Sequence, residues 1–111
     1  MISPLAILGD GCMVCPGSVI AHECRLGRCC FVSPGVVLNS RVDIGDGAFI
    51  GANATILPGI KIGAWSTIGA GAVVIEDVPE GATVFNNPAQ VIFQRKIPPD
   101  NVENWIPPTK S

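Results

Sequence analysis

Residues 42–63 read VDIGDGAFIGANATILPGIKIG, and in them Ile44, Ile50, Ile56 and Ile62 recur every sixth position. Two residues ahead of each stands a small or aliphatic side chain: Val42, Ala48, Ala54 and Ile60. An α-helix turns six residues through about 240°, which would scatter these isoleucines over its surface. A plain alternating strand has period two. A short strand followed by a tight turn returns the same register every six residues.

Followed outward in both directions, the rhythm does not break. Ile2, Leu8, Val14, Ile20, Leu26, Val32 and Leu38 precede the quoted stretch, and Ile68 and Val74 follow it. With 30 Ile, Leu and Val among 111 residues, thirteen consecutive hits have a chance probability on the order of one in ten million. Three such units close a triangular coil of 18 residues, and successive coils stack about 4.8 Å apart as parallel strands. The spacing predicts three internal ladders: Ile2, Ile20, Leu38, Ile56 and Val74; Leu8, Leu26, Ile44 and Ile62; Val14, Val32, Ile50 and Ile68. Gly17, Gly35, Asn53 and Gly71 recur at the same period and tolerate a left-handed backbone, which marks one corner of the coil. The fold class is all-β, a parallel β-helix of about four coils over 1–79, with a closing segment at 80–92 and a short irregular tail at 93–111. One helical turn is expected around DNVENW, with Trp105 packing the tail.

Composition removes several functions. Charged residues are 14% of the chain and the net charge is −2, with no basic face to follow a nucleic acid. No apolar run approaches the roughly 18 residues of a membrane span. The first residues, MISPLAILGDG, lack the basic and apolar regions of a signal peptide, so the expected location is the cytoplasm. Five cysteines, an odd number, do not suit a fully paired secreted framework. CMVC at 12–15 and CC at 29–30 resemble a zinc pattern, but the register sends Cys12, Cys24 and Cys30 into the small inward column, as buried small hydrophobes. No metal is expected.

The one histidine, His22, is followed directly by Glu23 and falls at a corner, two residues past the inward Ile20. Spacing alone leaves this pair open between a base with its carboxylate and a solvated turn.

The repeat resembles the hexapeptide-repeat transferases, and from that resemblance comes the left hand of the helix. GSVIAHECRLGRCCFVSPG at 17–35 is similar to the signature of sugar O- and N-acetyltransferases of the sialic-acid and bacillosamine type, matching at His22, Glu23, Cys24, Leu26 and Gly27. The similarity continues through 42–63 and TIGAGAVVIEDVPEG. It implies acetyl transfer from acetyl-CoA to an amine or hydroxyl of a small acceptor, with His22 as general base and Glu23 as its acidic partner. It further implies a homotrimer with acetyl-CoA in the groove between two solenoids. Contacts to that co-substrate are then expected at Phe31, Gly51, Ala52, Gly69 and Ala70, although tight turns require small residues at the last four in any case.

Two departures stand beside this. A second histidine nine residues after the first contacts the acetyl thioester in several of these enzymes, and Phe31 holds that position here. Those enzymes also carry an N-terminal nucleotide-sugar domain, whereas the repeat here is already under way at Ile2. The alternative to an enzyme is therefore a non-catalytic trimeric scaffold or a detached fragment of a larger acetyltransferase. The zinc-dependent carbonic anhydrase of the same architecture needs three histidine ligands, which one histidine per chain does not supply.

Overall fold

Each six-residue unit folds as a two-residue strand and a four-residue corner. The computed structural model describes residues 1–85 and 89–94. Twelve short strands follow in order: β1 (Ile7–Leu8), β2 (Met13–Val14), β3 (Val19–Ile20), β4 (Arg25–Leu26), β5 (Phe31–Val32), β6 (Val37–Leu38), β7 (Asp43–Ile44), β8 (Phe49–Ile50), β9 (Thr55–Ile56), β10 (Lys61–Ile62), β11 (Thr67–Ile68) and β12 (Val73–Val74). Two longer strands, β13 (Ala82–Phe85) and β14 (Gln90–Gln94), end the described chain.

Every third strand pairs, so three flat sheets form the sides of a triangular prism. β1, β4, β7 and β10 make one side; β3, β6, β9 and β12 make another; β2, β5, β8, β11, β13 and β14 make the third. The pairings within the coils are parallel and shift by 18 residues, as in Leu26 beside Ile44, Leu38 beside Ile56 and Ile50 beside Ile68. All three ladders expected from the spacing are present as in-register stacks. Their middle rungs are sealed: Ile20, Leu38, Ile50, Ile56 and Ile68 are fully buried. Each buried side chain of this size contributes roughly 1.5–3 kcal/mol relative to exposure. The first coil lacks a neighbour on its outer side among the described residues, so even its inward Ile2 is 44% exposed.

The small inward column is as tightly filled. Cys24, Cys30, Val36, Val42, Ala48, Ala54 and Ala72 are buried, and Ser18 and Ser66 join them by donating to the carbonyls of Cys15 and Gly63 at 2.7 and 2.6 Å.

The corners show a regularity that residue type conceals. From Gly11 to Gly71 every sixth residue has positive φ, and five of these eleven are not glycine: Glu23, Cys29, Arg41, Asn53 and Trp65. That conformation costs an ordinary L-residue roughly 1–2 kcal/mol. The stack imposes it, because each corner must reverse within a fixed four-residue arc. Elsewhere the limit is contact between coils: a Cβ on Gly45 would lie 2.5 Å from the Ala64 backbone nitrogen.

The outer surfaces of the three sides differ. One alternates charge in register, Arg25 beside Asp43 beside Lys61, all exposed. A second carries Val19, Val37, Thr55 and Val73, all half-buried. The third carries Met13, Phe31, Phe49 and Thr67, with the Phe31 and Phe49 rings stacked at 5.2 Å and 4°.

The six-residue rhythm stops after Val74: Val78 bridges to Ile62 at a spacing of 16 residues, two short of a full coil. β13 adds one more parallel rung beside β11, burying Ala82 and Val84, and β14 folds back antiparallel on it. Trp105 and the turn expected at 100–105 lie outside the described residues. Among the described residues no helix is long and apolar enough to cross a membrane.

Candidate active site

His22 sits on the corner between β3 and β4, and the 18-residue register places Ser40 on the same corner one coil on. Backbone hydrogen bonds fix the two corners together: Arg41 N–H donates to the His22 carbonyl at 3.1 Å. Below the corner, the buried Cys24 thiol donates to the Asn39 carbonyl at 3.0 Å, and the Asn39 amide donates to the Ile56 carbonyl at 2.8 Å. The turn is thus anchored from beneath while His22 itself is exposed.

The imidazole meets a hydroxyl, not the neighbouring carboxylate. His22 Nδ1 lies 3.4 Å from Ser40 Oγ. Glu23 follows at φ 62°, and its carboxylate lies 3.9 Å from the Arg41 guanidinium. Both ends of that ion pair are more than half exposed, so it contributes little to stability. Among the described residues, no other side chain hydrogen-bonds the ring, and Nε2 has no side-chain partner.

The remaining candidates occupy other parts of the prism. Phe31 is half-buried on the outer surface of the aromatic side. Gly51, Ala52, Gly69 and Ala70 lie on the corner joining the aromatic side to the Val/Thr side, stacked by a 2.8 Å hydrogen bond from Gly71 N–H to the Ala52 carbonyl. Gly51 is buried, and a Cβ there would lie 2.6 Å from the Ala70 nitrogen; the Phe85 ring covers Gly69. Packing therefore accounts for both glycines, while Ala70 is open to solvent and Ala52 half-buried. One chain brings His22 and Glu23 together, and it brings the four small residues together, but it holds the two groups on different corners. A hollow of about 460 Å³ on the charged side is lined by Asp43, Lys61 and Asp77, and His22 does not line it.

The cysteines are set apart from this chemistry. Cys12 and Cys30 stack one coil apart and repeat the same bond: the Cys12 thiol donates to the Gly27 carbonyl at 3.0 Å and the Cys30 thiol to the Gly45 carbonyl at 3.1 Å. Burial, reinforced by the adjacent Cys12, pushes the Cys30 thiol up to about 12. Burial also raises Cys24. Both stay protonated at neutral pH, the opposite of what a nucleophile or metal ligand requires. Among the described residues no three His, Cys, Asp or Glu side chains converge to hold a metal.

The raised thiol carries a pH dependence. An acid whose folded pKa exceeds its unfolded value supports the fold fully below the unfolded pKa. That support is lost as pH rises from about 9 toward about 12. The urea midpoint is expected to fall more between pH ~8.5 and ~10.5 in the natural protein than in Cys30→Ala. Ala48 already occupies the next rung of that column, so alanine fits. Equal falls would contradict the buried thiol.

Ser40 and Arg41 are the site residues that residue type did not announce. The signal that finds them is the period itself, which seats them 18 positions after His22 and Glu23.

The family model described as bacterial transferase hexapeptide (six repeats) matches residues 6–40 and 41–76. The chain belongs to that family. Among solved structures, this hexapeptide-family chain is similar to serine acetyltransferase from Neisseria gonorrhoeae, at 37% identity and a TM-score of 0.81 over 93% of this chain and 43% of that one. It is also similar to a variant of perosamine N-acetyltransferase from Caulobacter crescentus, solved with CoA and GDP-perosamine. There the identity is 31% and the TM-score 0.75, over 84% of this chain and 53% of that one. Soybean serine acetyltransferase gives 36% identity and a TM-score of 0.77, over 82% and 42%. The hexapeptide-family chain thus spans about half, or less, of these enzymes' length. No curated protein matches it.

Proposed function

We propose that the protein is a CoA-dependent acyltransferase that moves an acetyl group from acetyl-CoA to an amine or hydroxyl of a small acceptor, a sugar among the candidates. The observation that carries this reading is an exposed imidazole on an anchored corner of a hexapeptide solenoid whose solved neighbours are acetyltransferases, one of them holding CoA.

The chemistry asks little of the chain. The thioester is already activated, and the acceptor nitrogen or oxygen attacks its carbonyl carbon. His22 Nε2 takes the acceptor's proton as the new C–N or C–O bond forms. The tetrahedral oxyanion is met by backbone N–H groups of a coil. The C–S bond then breaks, and the proton passes from the imidazolium to the departing CoA thiolate. Products are the acetylated acceptor and CoA, with no metal taking part. Glu23 is the acidic partner that the family resemblance implies; within one chain its carboxylate faces Arg41 at 3.9 Å and not the imidazole.

A site that contains both His22 and the Ala52/Ala70 corner needs two chains, because one chain keeps them on separate corners. A homotrimer supplies that arrangement: its two apolar outer sides pack against neighbours, and the charged side faces water. The pantetheine arm runs past Ala52 and Ala70, beside Gly51 and Gly69, where short side chains let it approach the backbone. Phe31 then lies at the acyl end of the groove. The cytoplasm, where acetyl-CoA is made and used, is the setting this requires.

Titration calorimetry with acetyl-CoA, paired with release of free CoA thiol across a panel of amines and alcohols, tests the reading. Binding with acceptor-dependent thiol release is expected, from a trimer in sedimentation. No acetyl-CoA binding would overturn it and favour a non-catalytic scaffold.

A further inference from the structure

We propose that Ser40 is the positioning residue for His22: its hydroxyl accepts the Nδ1 proton and so leaves the Nε2 lone pair free as the base. This rests on the reading of His22 as general base.

A neutral imidazole has one N–H and one lone pair, and the partner of one nitrogen decides which the other carries. A base acting through Nε2 must hold its proton on Nδ1. Ser40 Oγ is the side-chain group that meets Nδ1, at 3.4 Å. That separation is long for a formed bond, as such contacts often are before substrate arrives.

Ser40 is well placed to act as a fixed partner. Its own carbonyl accepts from Gly59 N–H at 3.0 Å, and the next residue's N–H holds the His22 carbonyl at 3.1 Å. The serine is thus pinned between the coils before and after it. Glu23, the carboxylate next in sequence, is turned to Arg41 at 3.9 Å. The hydroxyl is not needed to shape the turn, because the same corner position is Pro4 two coils earlier and Pro58 one coil later.

His22 is the only histidine in the chain, so its tautomer can be read without assignment. In the protein labelled with ¹⁵N-histidine, at mildly alkaline pH, the natural chain is expected to show a protonated Nδ1 and a pyridine-type Nε2. Ser40→Ala is expected to move the population to the Nε2–H form, which free histidine prefers. Ser40→Thr, which keeps a hydroxyl, is expected to return it to the Nδ1–H form. In the thiol-release assay Ser40→Ala should lose about tenfold in kcat with KM for acetyl-CoA unchanged. An Nε2–H spectrum in the natural protein, or one unchanged in Ser40→Ala, overturns the positioning role. Full transfer by His22→Ala would instead overturn the base reading and leave the tautomer result standing, so the two failures are distinguishable.

Discussion

His22→Ala is expected to lower acetyl transfer by about 10²–10⁴-fold, the range over which a positioned general base accelerates proton transfer. The fold should not notice the change. The ring is exposed and its one side-chain hydrogen bond is long, so stability should stay within about 0.5 kcal/mol. The corner is held by the Cys24 and Asn39 contacts and by the backbone, none of which uses the imidazole. Because the acyl-CoA contacts proposed above lie on a different corner, acetyl-CoA affinity measured by calorimetry should change little. The result that sinks His22 as the base is an equal rate of thiol release by the variant and the natural protein.

Ile50→Ala is expected to be the most damaging simple truncation, at about 2–5 kcal/mol. Ile50 is fully buried at the middle of its ladder, with Val32 and Ile68 in register on either side. A cavity there cannot collapse without pulling two coils together, which the backbone ladder resists. Total stability for a domain of this size is only about 5–15 kcal/mol, so the variant should approach the edge of folding. Val14→Ala removes a side chain from the same ladder, yet it should cost much less, because Val14 is half-buried on the open first coil. The pair tests whether stability is summed rung by rung, as a stacked repeat implies. Denaturant unfolding of both variants measures it, and equal losses would contradict that picture.

How much could be read in advance depended on what each position is asked to do. The three ladders were visible because an inward position accepts few residue types and recurs without a gap from Ile2 to Val74. The corner at Gly17, Gly35, Asn53 and Gly71 was visible for the same reason. Positive φ at Glu23, Cys29, Arg41 and Trp65 was not, since these side chains avoid it in isolation and only the stack enforces it. The hairpin of β13 and β14 fell where the rhythm ends, so no period announced its register. His22 stood out as a lone histidine. Its neighbour Ser40 did not, because a serine on a turn looks the same whether or not a ring rests on it. The small residues at 51, 52, 69 and 70 are equally silent, since a tight corner and a nearby ligand both ask for small side chains.

The 18-residue register has a consequence for how this protein can change over time. It behaves like a reading frame: losing one residue inside the stack would turn every later ladder outward, and a loss between His22 and Ser40 would also slide the serine away from the ring. Substitutions at the outer positions are cheap by comparison. Length can therefore be altered safely only by whole coils, or by loops that bulge from a corner and return to the same rung. A chain of this kind diversifies its chemistry at the corners and keeps its arithmetic fixed within.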